Sequence, residues 1–145
     1  MPIKRENYHL YPGGSPHSKE WKAIVARIKA RAGNICERCR APNRVFICRD
    51  KAAQIYILPD GEIRSAVTGE PLGVLVDGAP WGGRLEDPIE VVLTVAHVEH
   101  DPRRNDDADL RAWCQMCHLG HDHPHHQANA ARTRAARIAV PDARS

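Results

Sequence analysis

The chain has 145 residues and a net charge of +3, with 21 Lys and Arg set against 18 Asp and Glu. Its length fits one domain with a tail, and 42% hydrophobic with 27% charged residues excludes a wholly disordered chain. No apolar run approaches the roughly 18 residues that span a bilayer, and the polar start MPIKRENYHLYPGG lacks the apolar stretch of a secretory signal, so a cytoplasmic protein without a membrane partner is expected.

Residues 1–17 read as an irregular N-terminal arm, because Pro2, Pro12, Gly13, Gly14 and Pro16 all interrupt regular structure. A helix follows, capped by Ser15 or Ser18 and running to about Ala32. Trp21, Ile24, Val25 and Ile28 give it one apolar face at helical spacing, and Gly33-Asn34 is its stop. Residues 44–88 read as a β-rich insertion. Val45–Cys48, Gln54–Leu58 and Glu62–Arg64 are strands, with Pro59-Asp60-Gly61 a turn between the last two. Thr68-Gly69 and Leu72-Gly73 suggest a further tight reversal, and 77–88 a loop. Glu90–Val98 is a β-branched strand ending near a histidine. After a polar loop, the segment from Leu110 onward has helical spacing at Leu110, Trp113, Cys114 and Cys117. The Ala- and Arg-rich stretch 123–145 reads as a basic C-terminal helix or tail.

Five Cys and nine His in 145 residues point to metal, since a reducing compartment disfavours disulfides. Cys36-x-x-Cys39 and Cys114-x-x-Cys117 together supply the four soft ligands of a tetrahedral structural zinc. The separation between the pairs is far longer than the roughly 15–20 residues of a simple zinc ribbon and would hold the strands as an insertion. Cys48 alternates with apolar neighbours and reads as core. Cys114-Gln-Met-Cys117-His118 also matches the haem-attachment pattern, but that reading leaves Cys36 and Cys39 unexplained.

A second polar constellation lies nearby. His118 and Asp122 are four apart and share a helical face. His97, His100 and Asp101 cluster at the end of the strand, where they could face that helix. Imidazoles and carboxylates suit a divalent cation with open positions, and a histidine off the metal can act as general base on water. Such parts cleave phosphodiesters, with Arg103 and Arg104 available to flanking phosphates. His121, His123, His125 and His126 read as a solvated run.

These residues resemble the HNH endonuclease family (His-Me finger), and in particular small HNH proteins of phages and prophages. The resemblance rests on Cys36-x-x-Cys39, LTVAHVEHDP (Leu93–Pro102) and NDDADLRAWCQMCHLGHD (Asn105–Asp122), within residues 18–122. It implies an α+β fold with a ββα-metal core and a structural four-cysteine zinc site, the β-rich insertion and flanking helices added to it. By position it implies His97 as general base, His118 and Asp122 as ligands of a catalytic Mg²⁺, Mn²⁺ or other divalent ion, and zinc on Cys36, Cys39, Cys114 and Cys117. The family places a metal-binding Asp or His just before the base, where this chain has Ala96, and an Asn before the helical Leu, where it has Asp109. Either His100 or Asp101 joins the cation, or His97 and His100 exchange roles, or the site is weakened.

The expectation is metal-dependent hydrolysis of DNA by a monomer or homodimer, with Arg103, Arg104, Arg132, Arg134 and Arg137 gripping backbone phosphate in a salt-sensitive way. The alternatives are an inactive zinc-stabilised DNA-binding module with the same fold, which Ala96 favours, and a zinc-held structural or interaction protein.

Overall fold

The computed structural model describes residues 3–75, 85–124 and 131. It is a mixed α+β protein with two antiparallel sheets. The arm contains short 3-10 turns at Arg5–Leu10 and Pro12–Gly14. Helix α1 (Lys19–Arg31) begins at Ser18, not Ser15, because the Ser18 hydroxyl accepts the Trp21 N–H at 3.1 Å and donates to the Pro12 carbonyl at 2.5 Å. One side-chain oxygen thus caps the helix and fastens the arm to it. Trp21 and Ile28 are buried, and Ile24 and Val25 pack against the core beside them, as the apolar spacing predicts.

The insertion forms most of a five-stranded sheet in the order β4-β3-β2-β1-β5, with β1 Phe46–Asp50, β2 Ile55–Ile57, β3 Glu62–Ser65, β4 Pro71–Val74 and β5 Ile89–Glu90. The turn at Asp60 is closed by its carboxylate, which accepts the Glu62 N–H at 2.9 Å. Leu72-Gly73 is no reversal: it lies inside β4, and the chain turns at Thr68-Gly69 instead, where the Gly69 N–H donates to the Ser65 carbonyl. Gly69 has φ +79°, and a Cβ there would lie 2.5 Å from the Cys39 carbonyl oxygen. The close approach lets the insertion sit directly on the first cysteine loop. Tyr56, fully buried in β2, reinforces this contact by donating its hydroxyl to the same Cys39 carbonyl at 2.6 Å.

The expected strand over Glu90–Val98 is two strands in different sheets. After β5 the Val91 N–H still donates to the Val45 carbonyl, and beyond it the backbone leaves the ladder and side chains take over its hydrogen bonds. The Val92 N–H is accepted by the Gln115 amide oxygen at 3.0 Å, and the Leu93 N–H by the Asn43 amide oxygen at 3.0 Å. Val91 and Leu93 both become buried. The chain then resumes as β6 (Thr94–His97). Its partner is β7 (Leu110–Trp113), in a segment whose spacing predicts a helix. The register sets Thr94 opposite Trp113 and His97 opposite Leu110. Leu110 and Ala112 on one face of β7 are fully buried, a period of two that a spacing read from Leu110 to Trp113 to Cys114 conceals. The helix begins only after Cys114, at residue 115, and is described to residue 124 (α2).

The hairpin β6–β7 is locked to α1 by Arg31 and to the first cysteine loop by Glu37. Arg31 donates to the carbonyls of Asp107 and Leu110 and to the Glu37 carboxylate, at 2.6, 2.7 and 2.7 Å. The Glu37 carboxylate in turn accepts the Ala112 N–H at 2.9 Å, and the Glu37 N–H donates to the Ala112 carbonyl at 2.9 Å. The first cysteine loop therefore docks on β7, which carries the chain into the second cysteine pair.

Candidate functional site

Cys36, Cys39, Cys114 and Cys117 are all buried, and their sulfurs lie within 4.8 Å of one another. The Cys39 and Cys114 sulfurs are 3.6 Å apart, close to the roughly 3.8 Å edge of a tetrahedron with 2.3 Å zinc–sulfur bonds. The donor set therefore fits zinc. Arg38 N–H and the Arg49 guanidinium approach the sulfurs of Cys36 and Cys114 at 3.5 and 3.6 Å. Hydrogen bonds from the neighbouring thiols, Cys114 first, drive Cys36 far below the ordinary thiol range, and the bond with Cys117 brings Cys114 down to about 6. The bond with Cys114 pushes both Cys39 and Cys117 upward. Four sulfurs this close carry full negative charge together only around a cation. Arg49, 5% exposed, adds positive charge on the sheet side; nothing in its strand-like surroundings marks it in the sequence. Cys48 lies in β1 outside the quartet, but it is half-buried and not among the core residues, because Ile47 and Arg49 take the buried face of the strand.

A cleft of about 580 Å³ runs beside β6, and its walls include Tyr11, Trp21, His97, His100, His118 and Asp122. The His97 ring stacks on Trp21 and meets Tyr11 edge-on at 5.8 Å. Its Nε2 lies 2.9 Å from the Asn105 Oδ1. The Asn105 Nδ2 donates to the Pro102 carbonyl at 2.8 Å, which fixes Oδ1 as the end facing the ring. Nε2 therefore carries the proton, and Nδ1 is the basic nitrogen.

His118 and Asp122 project from one face of α2, and the His118 Nε2 is 3.1 Å from Asp122 Oδ2. The other ring nitrogen of His118 meets the Thr94 hydroxyl at 2.8 Å. Burial pushes His118 below the ordinary histidine range, against the opposing pull of Asp122. His100 has φ +57° at the turn after β6, closed by its N–H to the His97 carbonyl at 3.1 Å. That turn brings its Nδ1 to 3.4 Å from Asp122 Oδ1. Asp122 thus lies between two imidazoles from different elements.

His121 departs from its reading as part of a solvated run. It is half-buried, stacks on His100 with centroids 4.8 Å apart, and leans against Trp113 at 4.7 Å. Its i+3 spacing from His118 is the sequence signal that places it on the same side of the helix.

Asp101 pairs with Arg103 at 3.0 Å, which holds its carboxyl below the usual range. It is not part of the group formed by His100, His121 and Asp122, whose ligand atoms lie within 4.8 Å of one another. Arg104 binds Asp109 at 3.3 Å and, like Arg103, is largely exposed. Asp109 forms a reciprocal cap with Asp106, so it is Asn105 that reaches His97. Arg132, Arg134 and Arg137 fall outside the described residues. No helix among the described residues is long and apolar enough to cross a membrane. No family model matches the chain, and no curated protein or solved structure matches it.

Proposed function

We propose that this chain is an HNH-type endonuclease that hydrolyses DNA phosphodiester bonds, with β6, β7 and α2 as its ββα-metal core. The observation that carries the reading is His97, a histidine oriented on both sides at the wall of an open cleft that it shares with His118 and Asp122. Asn105 keeps the proton on Nε2, so Nδ1 accepts a proton from an attacking water. Trp21 and Tyr11 restrict the ring's tilt, which lowers the entropy lost in aligning it. His118 and Asp122 would hold the divalent cation, which when bound stabilises charge building on the phosphoryl oxygens. The Thr94 hydroxyl on one ring nitrogen and Asp122 on the other hold the His118 ring in place at the cleft wall. Zinc on the cysteine quartet holds the hairpin and helix in register. Exposed Arg103 and Arg104 lie beside the cleft-lining Pro102 and supply cationic contacts for the backbone.

Nicking of supercoiled plasmid with Mg²⁺, Mn²⁺ or Ni²⁺ tests the proposal. Wild type is expected to cut and His97→Ala to lose cutting while still retaining DNA in a gel. Equal cutting by both overturns the role of His97. Salt-sensitive DNA retention with no cutting under any of the ions supports the second reading, a DNA-binding module with the same fold, for which the absence of a ligand at Ala96 is the specific observation.

A further inference from the structure

The cation site beside α2 contains more nitrogen than the His118–Asp122 pair. We infer that His100, His121 and Asp122 form a transition-metal site in which two imidazoles replace the ligand that Ala96 cannot provide. This inference rests on the cleft assigned above but concerns metal binding, which is measured apart from cleavage.

Four observations converge on it. The three residues come from a turn and a helix, yet offer ligand atoms within 4.8 Å of one another. The His121 Nε2 lies 2.9 Å from the Val98 carbonyl oxygen, which can only accept, so the proton sits on Nε2 and the lone pair on Nδ1. A metal-binding histidine is ordinarily held this way, its second nitrogen donating to a carbonyl or carboxylate. Asp122 divides its two oxygens between His100 at 3.4 Å and His118 at 3.1 Å, so its carboxylate joins the ring from the turn to a ring from α2. The backbone also takes an uncommon course to build the group, since His100 occupies the left-handed region at φ +57°.

The chemistry of the donors sets the preference. Mg²⁺ favours oxygen ligands and retains its waters, whereas imidazole nitrogen favours Ni²⁺, Co²⁺ and Zn²⁺, with Mn²⁺ below them. Two or three imidazoles with one carboxylate therefore select a late first-row ion over Mg²⁺. Ala96, 3% exposed, offers no ligand atom, and His100 and His121 bring nitrogen close to Asp122 from the turn and from α2.

The test uses the untagged full chain with one zinc equivalent bound to the quartet, titrated calorimetrically with Ni²⁺, Mn²⁺ and Mg²⁺. One further ion is expected, with Ni²⁺ at least about tenfold tighter than Mg²⁺. His121→Gln and His100→Gln should each weaken Ni²⁺ by about tenfold or more, with the thermal midpoint before titration unchanged. The triple variant His123→Gln, His125→Gln, His126→Gln controls for the neighbouring histidines and should leave the affinity intact. Absence of a second ion, an unchanged affinity in His121→Gln, or loss only in the triple variant overturns the inference. Cleavage is scored separately: a second ion that depends on His121 in a protein that never cuts DNA sinks the nuclease reading and leaves the metal site standing.

Discussion

The imidazole of His97 lies nearly parallel to the indole of Trp21, with ring centroids 5.2 Å apart and 12° between the planes. The two rings belong to different parts of the chain, and α1 therefore contributes a wall to a cleft whose other walls come from the N-terminal arm, β6 and the turn after it, and α2. An aromatic pair of this kind is worth about 0.5–1.5 kcal/mol beyond its buried area. Trp21→Phe keeps a ring against His97 and should retain most cleavage. Trp21→Ala removes both ring and core volume. It should cost about 3–5 kcal/mol in urea unfolding and reduce cleavage even at temperatures where the variant is fully folded. Cleavage by folded Trp21→Ala at the wild-type rate would show that the stack has no part in aligning the base.

Asn105 provides a sharper test, because it touches His97 through one atom. Asn105→Ala deletes the acceptor that fixes the tautomer and should slow plasmid nicking by about a hundredfold, while DNA retention in a gel stays unchanged. Asn105→Asp keeps an acceptor at the same place and should recover part of the rate. Asp109→Asn, at the position where the proposed HNH reading expects an Asn, should change little, since Asp109 serves the Asp106 cap and Arg104. A larger loss in Asp109→Asn than in Asn105→Ala would reverse this assignment.

The contrast between Asn105 and Asp109 shows what can be read from residue order. The cysteine quartet is legible because two C-x2-C pairs carry their chemistry in their spacing. The face of α1 is legible because four apolar residues repeat at helical intervals. The hairpin is not: Leu110, Trp113 and Cys114 imitate a helix, and only pairing with Thr94–His97 makes 110–113 a strand. The break after Val91 is hidden for a similar reason, since the backbone partners of Val92 and Leu93 are the side chains of Gln115 and Asn43. His121 escapes notice because a run of histidines near a charged tail resembles a solvated surface, and its contacts with Val98 and His100 come from elsewhere in the chain.

Zinc removal should act on the whole domain. The quartet joins the loop after α1 to the junction of β7 and α2, and four of the buried residues are its own cysteines. A strong chelator, or Cys114→Ser, should abolish the near-ultraviolet signal of the packed Trp21 and Trp113 and broaden thermal unfolding, because metal affinity is folding free energy in a domain of this kind. Readdition of one zinc equivalent should restore the chelated wild type. Acid should release zinc as protons compete for the thiolates. A chelated protein that retains a sharp transition at its original midpoint would remove the quartet from any structural role.

Glu37 offers a milder perturbation of the same junction. Its carboxylate joins Arg31 to the Ala112 N–H, and both charged side chains are less than one-third exposed. Glu37→Ala leaves an amide and a guanidinium without their shared acceptor. The expected loss is about 1–3 kcal/mol, read in urea with zinc bound. Glu37→Gln keeps an acceptor oxygen but not the charge and should fall between the two. No loss in Glu37→Ala would mean that water replaces the carboxylate at no cost.

Tyr56 links the insertion to the first cysteine loop, and its ionisation gives the prediction a pH signature. Burial is the main cause that pushes its phenol up to about 12, with the nearby Cys39 adding to the rise. An unfolded tyrosine ionises near 10, so the native state holds this proton more tightly than the unfolded state does. Its contribution is fully present below pH 10 and declines as pH rises toward 12. Tyr56→Phe should lower stability at neutral pH by about 1–3 kcal/mol, since the Cys39 carbonyl loses its donor. It should also flatten the part of the alkaline decline that wild type shows between pH 10 and 12. Parallel alkaline curves for wild type and Tyr56→Phe would show that the phenol meets water as readily in the folded chain as in the unfolded one.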